Sequence, residues 1–86
     1  MKQITSSQNS YIKSLLKLQE KAKERKNRGL FIIEGLREIS LALKANYTFE
    51  TVLFCSDLIQ QTEVERTFIT SIQLIEISRE VYEKLA

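Results

Sequence analysis

Histidine, tryptophan and proline are missing from this 86-residue sequence, which also has only one cysteine and two glycines. Histidine is the usual general base and a common zinc ligand, so its absence argues against hydrolytic catalysis and, with a single cysteine, against a zinc site. One cysteine cannot form an internal disulfide, which is typical of a reducing cytoplasm. Two glycines cannot build a glycine-rich phosphate loop. We therefore expect a cytoplasmic chain with no metal site and no catalytic residues of its own.

Long apolar runs are absent as well. No run approaches the roughly 18 apolar residues that would span a bilayer, and the N-terminal segment MKQITSSQNS lacks the apolar core of a signal peptide. The hydrophobic (43%) and charged (28%) fractions are ordinary for a soluble protein. These features predict one small domain over residues 1–86, with no membrane partner.

Positive charge is concentrated near the N-terminus, although the whole chain carries only +2. Residues 1–28 hold eight Lys or Arg against two Glu, a net charge of +6. Residues 29–86 hold five basic against nine acidic residues, a net charge of −4. A basic segment joined to a mildly acidic body indicates an anionic partner for that segment.

Helix and strand patterns alternate along the chain. The predicted elements are a helix over 9–27 capped by Ser6 or Ser7 and breaking near Gln19, a strand over 30–33, a helix over 36–45, a strand over 48–55, a helix over 58–66, a strand over 72–77 and a helix over 79–86 capped by Ser78. The helix over 36–45 is expected to bury Leu36, Ile39, Ala42 and Leu43. This alternation predicts an α/β fold, a three-layer α/β/α sandwich with a small, mainly parallel sheet. Because another strand would be expected after the last helix, we expect the chain to be a piece of a longer protein.

The first predicted strand and the turn that follows it have a distinct pattern. Residues 30–33 are continuously apolar, as in a strand that is covered on both faces. Gly35 allows a tight turn before the next helix. Glu34 could accept hydrogen bonds from the start of that helix or pair with Arg37. We interpret Glu34 and Gly35 as a structural turn. The alternative is catalysis by Glu34, but no partner acid, histidine or metal ligand is suggested nearby.

Five cations follow one another at spacings of four, four, four and three residues: Lys13, Lys17, Lys21, Arg25 and Arg28. On a helix they form a stripe that winds by about 40° per step, and such a stripe can follow a phosphate backbone. Arginine can fork onto a phosphate or stack on a base, so Arg25, Arg28 and Arg37 are predicted to make the specific contacts. The alternative is a solvated face whose lysines serve solubility. Tyr11 and Phe31 could stack on bases, but their apolar surroundings in the sequence favour core packing.

Two ordered patterns resemble the N-terminal substrate-binding domain of the SpoU/TrmH family of RNA ribose 2′-O-methyltransferases. Family members commonly open with I-T-S-x-x-N-x-x-I-K-x-L, which here falls on Ile4, Thr5, Ser6, Asn9, Ile12, Lys13 and Leu15. A basic segment and F-[LIV]-[IV]-E-G-x-R-E-[IV] follow, here at Arg25, Phe31, Ile32, Ile33, Glu34, Gly35, Arg37, Glu38 and Ile39. The resemblance covers nearly the whole chain and is sharp over residues 4–43.

The resemblance implies a domain that binds RNA, in particular ribosomal RNA, for a methyltransferase. In the family a second, knotted domain binds S-adenosylmethionine, carries the methyl-transfer residues and forms most of the homodimer contact. The motifs of that domain are absent here, so this chain is expected to be inactive and monomeric by itself. The predicted RNA-contacting residues are Asn9, Lys13, Lys17, Lys21, Arg25, Arg28 and Arg37.

Two other interpretations stay open. The cation stripe could bind an acidic protein partner, which would make the chain a non-catalytic interaction module. A free-standing enzyme is the other possibility, but the sequence has no catalytic constellation to support it.

Overall fold

A sheet of three short parallel strands lies at the centre of the computed structural model, which describes residues 1–68 and 72–86. Its elements are β1 (Lys2–Ile4), α1 (Ser10–Glu20), α2 (Ala22–Arg28), α3 (Leu36–Lys44), β2 (Thr51–Phe54), α4 (Gln61–Thr67), β3 (Gln73–Ile77) and α5 (Arg79–Leu85). The spatial order β1-β3-β2 puts the last strand in the middle. The predicted α/β fold with a small parallel sheet is confirmed.

The register of the strands divides the apolar side chains between two faces of the sheet. Leu53 of β2 lies opposite Ile75 of β3, and Val52 lies opposite Leu74. Because successive residues of a strand point to opposite faces, Leu53 and Ile75 share one face while Val52 and Leu74 share the other. Two separate apolar clusters follow this division.

Helices α1 and α5 cover the first face. The buried residues of this cluster are Ile4, Ile12, Leu15, Leu18, Cys55, Ile75, Ile77 and Val81. Ile12 of α1 and Val81 of α5 are completely buried. Burial of an aliphatic side chain contributes about 1.5–3 kcal/mol, so the inward face of α1 fixes the orientation of the whole helix.

Helices α3 and α4 cover the second face. Val52, Phe54, Val64 and Phe68 are buried there, and Ile39 and Leu43 of α3 pack against them. The rings of Phe49 and Phe68 meet edge to face with their centroids 5.2 Å apart. Helices on both faces of the sheet produce the predicted three-layer arrangement.

Most predicted elements are present with shorter bounds. The helices expected over 36–45, 58–66 and 79–86 correspond to α3, α4 and α5, and the strands expected over 48–55 and 72–77 correspond to β2 and β3. Ser78 caps α5 as predicted, because its Oγ accepts a hydrogen bond from the N–H of Val81 at 3.2 Å. Within the described ranges, every helix is too short or too polar to cross a bilayer.

The strand predicted over 30–33 is wrong. Residues 30–34 form no regular secondary structure, and β3 already pairs with β1 on one side and β2 on the other. Phe31 is 56% exposed and Leu36 is 45% exposed, so the expectation that both are buried is also wrong. Hydrophobic periodicity alone cannot identify the structure of so short an apolar run.

The cap of the first helix also differs from the prediction. Asn9, rather than Ser6 or Ser7, is the N-cap of α1, because its Oδ1 accepts hydrogen bonds from the N–H groups of Tyr11 (2.8 Å) and Ile12 (3.4 Å). Asparagine and serine are nearly equal as N-caps, so the sequence pattern alone could not choose between these positions.

Candidate nucleic-acid interface

The outer face of α1 carries two lysines. At about 100° per residue, Lys13 and Lys17 lie about 40° from each other and about 160° from Leu15, which is in the buried face. Both lysines are exposed, whereas Leu15 is buried. Burial of the apolar stripe therefore turns both ammonium groups toward solvent.

The predicted break of the first helix near Gln19 is confirmed, and it falls at Lys21. Lys21 has extended backbone angles, φ −119° and ψ 114°, and it separates α1 from α2. Its N–H group still donates to the carbonyl oxygen of Lys17 at 3.0 Å. The stripe predicted for one continuous helix therefore changes direction at this residue.

The two arginines of α2 turn back onto α1. Nη1 of Arg25 donates to the carbonyl oxygens of Leu18 (3.0 Å) and Gln19 (2.8 Å), which lie in the last turn of α1. Those carbonyls lack partners within the helix, and a cation at a helix C-terminus also opposes the negative end of the helix dipole. Nη1 of Arg28 donates to the carbonyl oxygen of Ser14 at 3.1 Å. Both guanidinium groups thus hold α2 against α1.

The contact of Arg28 brings cations of both helices together. Ser14 directly follows Lys13 and lies less than one turn before Lys17. A helical turn rises only about 5.4 Å, so along the axis of α1 the carbonyl that Arg28 contacts lies within one turn of both lysine positions. The structure therefore connects Arg28 with the cationic outer face of α1.

Two further lysines are exposed because the arginines point inward. Lys23 and Lys26 belong to α2 and are exposed; at about 100° per residue they lie about 160° and about 100° from Arg25, respectively. They are absent from the predicted RNA-contacting residues, because the spacing of four, four, four and three selects only one stripe of cations. The polar sequence of α2, which buries no residue, is the signal that could have separated the two helices. We call Lys13, Lys17, Lys21, Lys23 and Lys26 the lysine surface.

The positive charge of this region is not neutralised by nearby carboxylates. Among residues 1–68 and 72–86, the single ion pair joins Arg79 to Glu83 at 3.7 Å, within α5. Glu20 and Glu24 therefore form no ion pair with the lysine surface. Unpaired and exposed ammonium groups remain free to exchange their counterions for phosphates.

Three other predicted site residues have different surroundings. Asn9 caps α1 through its side-chain oxygen. Arg37 is exposed in the first turn of α3, and no hydrogen bond between described residues joins it to α1 or α2. The predicted pairing of Glu34 with Arg37 or the start of α3 is wrong, because Glu34 Oε2 instead accepts a hydrogen bond from the hydroxyl of Tyr82 at 3.3 Å.

Gly35 is the N-cap of α3, with φ 95° and ψ 144°. This backbone conformation is essentially restricted to glycine. The turn between residues 30–34 and α3 therefore depends on it. In the part of the chain described here, His, Cys, Asp and Glu residues form no group of three that could hold a metal ion.

Comparison with known proteins identifies the domain. A family model described as the MRM3-like substrate binding domain matches residues 9–86. Comparison with curated proteins gives no match. The match covers nearly the whole chain, including α1, α2 and all elements that follow. The chain therefore belongs to the MRM3-like substrate binding domain family, a domain of RNA methyltransferases of the SpoU class.

Proposed function

We propose that the lysine surface binds the phosphate backbone of a ribosomal RNA and presents one ribose to the catalytic part of a 2′-O-methyltransferase. The observation that carries this proposal is the set of exposed lysines on α1 and α2 that make no ion pair in the described structure. The family assignment supplies the substrate class, because it describes a substrate-binding domain of RNA methyltransferases.

The domain would contribute to the reaction by positioning its substrate. Holding two reactants in the right geometry can replace an encounter in solution by an effectively unimolecular step. We propose that S-adenosylmethionine is bound by a separate catalytic domain of the parent protein, and we assign no residue of this chain to the methyl donor. The rigid packing of α1 on the sheet suits this role, since Ile12 and Leu18 anchor the helix that carries the lysines.

The charge of the lysine surface sets a quantitative expectation. If each of its five lysines contacts one phosphate of a single-stranded RNA, the logarithm of the binding constant should fall with the logarithm of salt concentration with a slope of about −3.5. Loss of two contacts should bring the slope to about −2.1 and weaken binding about 25-fold at 0.1 M salt.

The test is a salt titration of fluorescence anisotropy with a labelled 15-nucleotide oligouridylate and with ribosomal RNA fragments. Two variants remove pairs of charges, Lys13→Gln with Lys17→Gln and Lys23→Gln with Lys26→Gln. A matched control, Lys44→Gln with Lys84→Gln, removes two exposed lysines from the acidic remainder of the chain.

Both test variants should lose affinity and salt dependence, while the control should change affinity less than twofold. Equal losses in all three variants would show that only net charge matters and would contradict a defined interface. If the chain bound an acidic protein and bound no RNA at any salt concentration, the result would favour an interaction module instead.

A further inference from the structure

A groove beside the lysine surface has a chemical character that phosphate binding does not explain. It has a volume of about 360 Å³ and is lined by Leu18, Gln19, Arg25, Phe31, Ile32 and Glu34. One wall is the end of α1 with Arg25 of α2, and the other is the irregular segment 30–34. Its volume is at the lower end of the roughly 300–1,000 Å³ of small-molecule sites.

The aromatic ring of the groove is exposed and held in one orientation. Phe31 is 56% exposed, and its ring meets that of Tyr47 edge to face, with centroids 5.8 Å apart and an interplanar angle of 88°. An edge-to-face contact leaves at least one face of the Phe31 ring free of Tyr47. Flat, exposed aromatic faces stack on unpaired bases of RNA.

A carboxylate also lines this groove. Glu34 is exposed, accepts one hydrogen bond from Tyr82 and pairs with no cation among the described residues. A carboxylate has about four acceptor sites, so most of its capacity is unused. It would repel a phosphate. A ligand group that offers hydrogen-bond donors would therefore suit the position beside Glu34.

Arg25 gives the groove a positive wall. Only its Nη1 donates to the carbonyl oxygens of α1, and a guanidinium group has five N–H donors in all. The remaining donors can bind the phosphate or a carbonyl of a nucleotide that enters from the lysine surface. The groove thus combines an aromatic ring, a cation and an acceptor within one cleft.

We infer that this groove binds an unpaired guanine of the RNA substrate. Guanine presents two adjacent donors, N1–H and N2–H, on its Watson–Crick edge, and both oxygens of a carboxylate can accept them together. On the same edge, uracil has one donor between two acceptors. Adenine and cytosine each have one amino group, and the atom next to it is an acceptor. Stacking on Phe31 and a contact of Arg25 with O6 or the attached phosphate complete the arrangement. The inference rests on the proposed function, because it takes RNA as the ligand.

The test compares fluorescence-labelled heptamers in anisotropy titrations at 0.1 M salt: U7, UUUGUUU, UUUAUUU and a heptamer with central inosine, which lacks the N2 amino group. The unmodified 86-residue chain should prefer the guanine heptamer to U7 by about tenfold, as for a good bidentate base contact. Inosine should lose most of this preference. Glu34→Gln should abolish the guanine preference, measured as the ratio of the affinity for UUUGUUU to the affinity for U7.

Phe31→Ala should weaken binding of all four heptamers about tenfold, because stacking tolerates every base. Phe31→Leu should weaken binding in the same way, although leucine keeps the apolar surface. Equal affinity for all heptamers, or a guanine preference that survives in Glu34→Gln, would overturn the inference. Sedimentation that shows a dimer lost in Phe31→Ala, without a change in RNA affinity, would also overturn it, since the groove would then be a contact between two copies. With U7 binding and its salt slope intact, any of these results would leave the proposed function standing.

Discussion

Replacement of Arg25 by alanine should weaken the fold itself, before any effect on RNA. In the native structure Nη1 of Arg25 donates to two carbonyl oxygens at the end of α1, at 3.0 and 2.8 Å. A hydrogen bond to a charged group contributes about 1.5–3 kcal/mol net. Because Arg25 is only half-buried and water can replace part of this contact, we expect a loss of about 2 kcal/mol in the free energy of unfolding. For a domain of this size, such a loss lowers the melting temperature by roughly 8–16 °C.

The measurement is urea unfolding followed by circular dichroism at 25 °C, with thermal melts in parallel. The midpoint should fall while the dependence of the unfolding free energy on urea stays constant, because the folded and unfolded surfaces are unchanged. Arg25→Lys keeps the charge but cannot reproduce the planar guanidinium, so it should be intermediate. Lys23→Ala, on the exposed side of α2, is the matched control and should change stability by less than about 0.5 kcal/mol. If Arg25→Ala were as stable as this control, the assignment of Arg25 to the end of α1 would be refuted.

Two pairs of substitutions test local features of the backbone. Asn9→Ala should lower the free energy of unfolding by about 1 kcal/mol through loss of the α1 N-cap. Ser6→Ala should cost less. If urea titration showed Ser6→Ala to be the more harmful, the assignment of Asn9 as the N-cap would be contradicted. Gly35→Ala should cost about 1–3 kcal/mol because φ 95° is strained for any side chain, although no atom lies within 4 Å of the added Cβ. Gly29→Ala, at φ 65° and ψ 30°, should cost less, about 1–2 kcal/mol; melting curves that reverse this order would contradict the explanation by backbone strain.

The elements that the sequence predicts correctly are those with a local pattern of adequate length. Strand β3 alternates between intermediate and buried residues, and Ser78 marks the start of α5 by a capping pattern that is visible in the sequence. The three-residue strand β1 has no such pattern. It exists because Lys2, Gln3 and Ile4 pair with residues more than 70 positions later in the chain, and partners at that distance cannot be read from local periodicity.

The candidate site was predictable in composition but not in orientation. The concentration of cations before Gly29 is visible in the sequence, and Gly29 ends α2 in the left-handed conformation that glycine favours. The directions of the side chains depend on the extended backbone of Lys21, which no residue type at that position demands. Because of this break, Arg25 contacts α1 whereas Lys26 is exposed. The sequence pattern predicts a single stripe, whereas the structure has an inner pair of arginines and an outer set of lysines.

This division has a consequence for how RNA-binding data on the domain must be interpreted. Arg25 and Arg28 donate to carbonyl oxygens of α1, so their substitution alters the relative placement of the two helices that carry the lysine surface. A loss of RNA affinity in an arginine variant is then expected even if neither guanidinium touches RNA. The lysine pairs lack this ambiguity, because their side chains make no hydrogen bond or ion pair among the described residues. A direct contact of Arg28 with phosphate would therefore be established only if Arg28→Lys kept the stability of the native chain and still lost affinity, since lysine can retain the charge but not the forked contact.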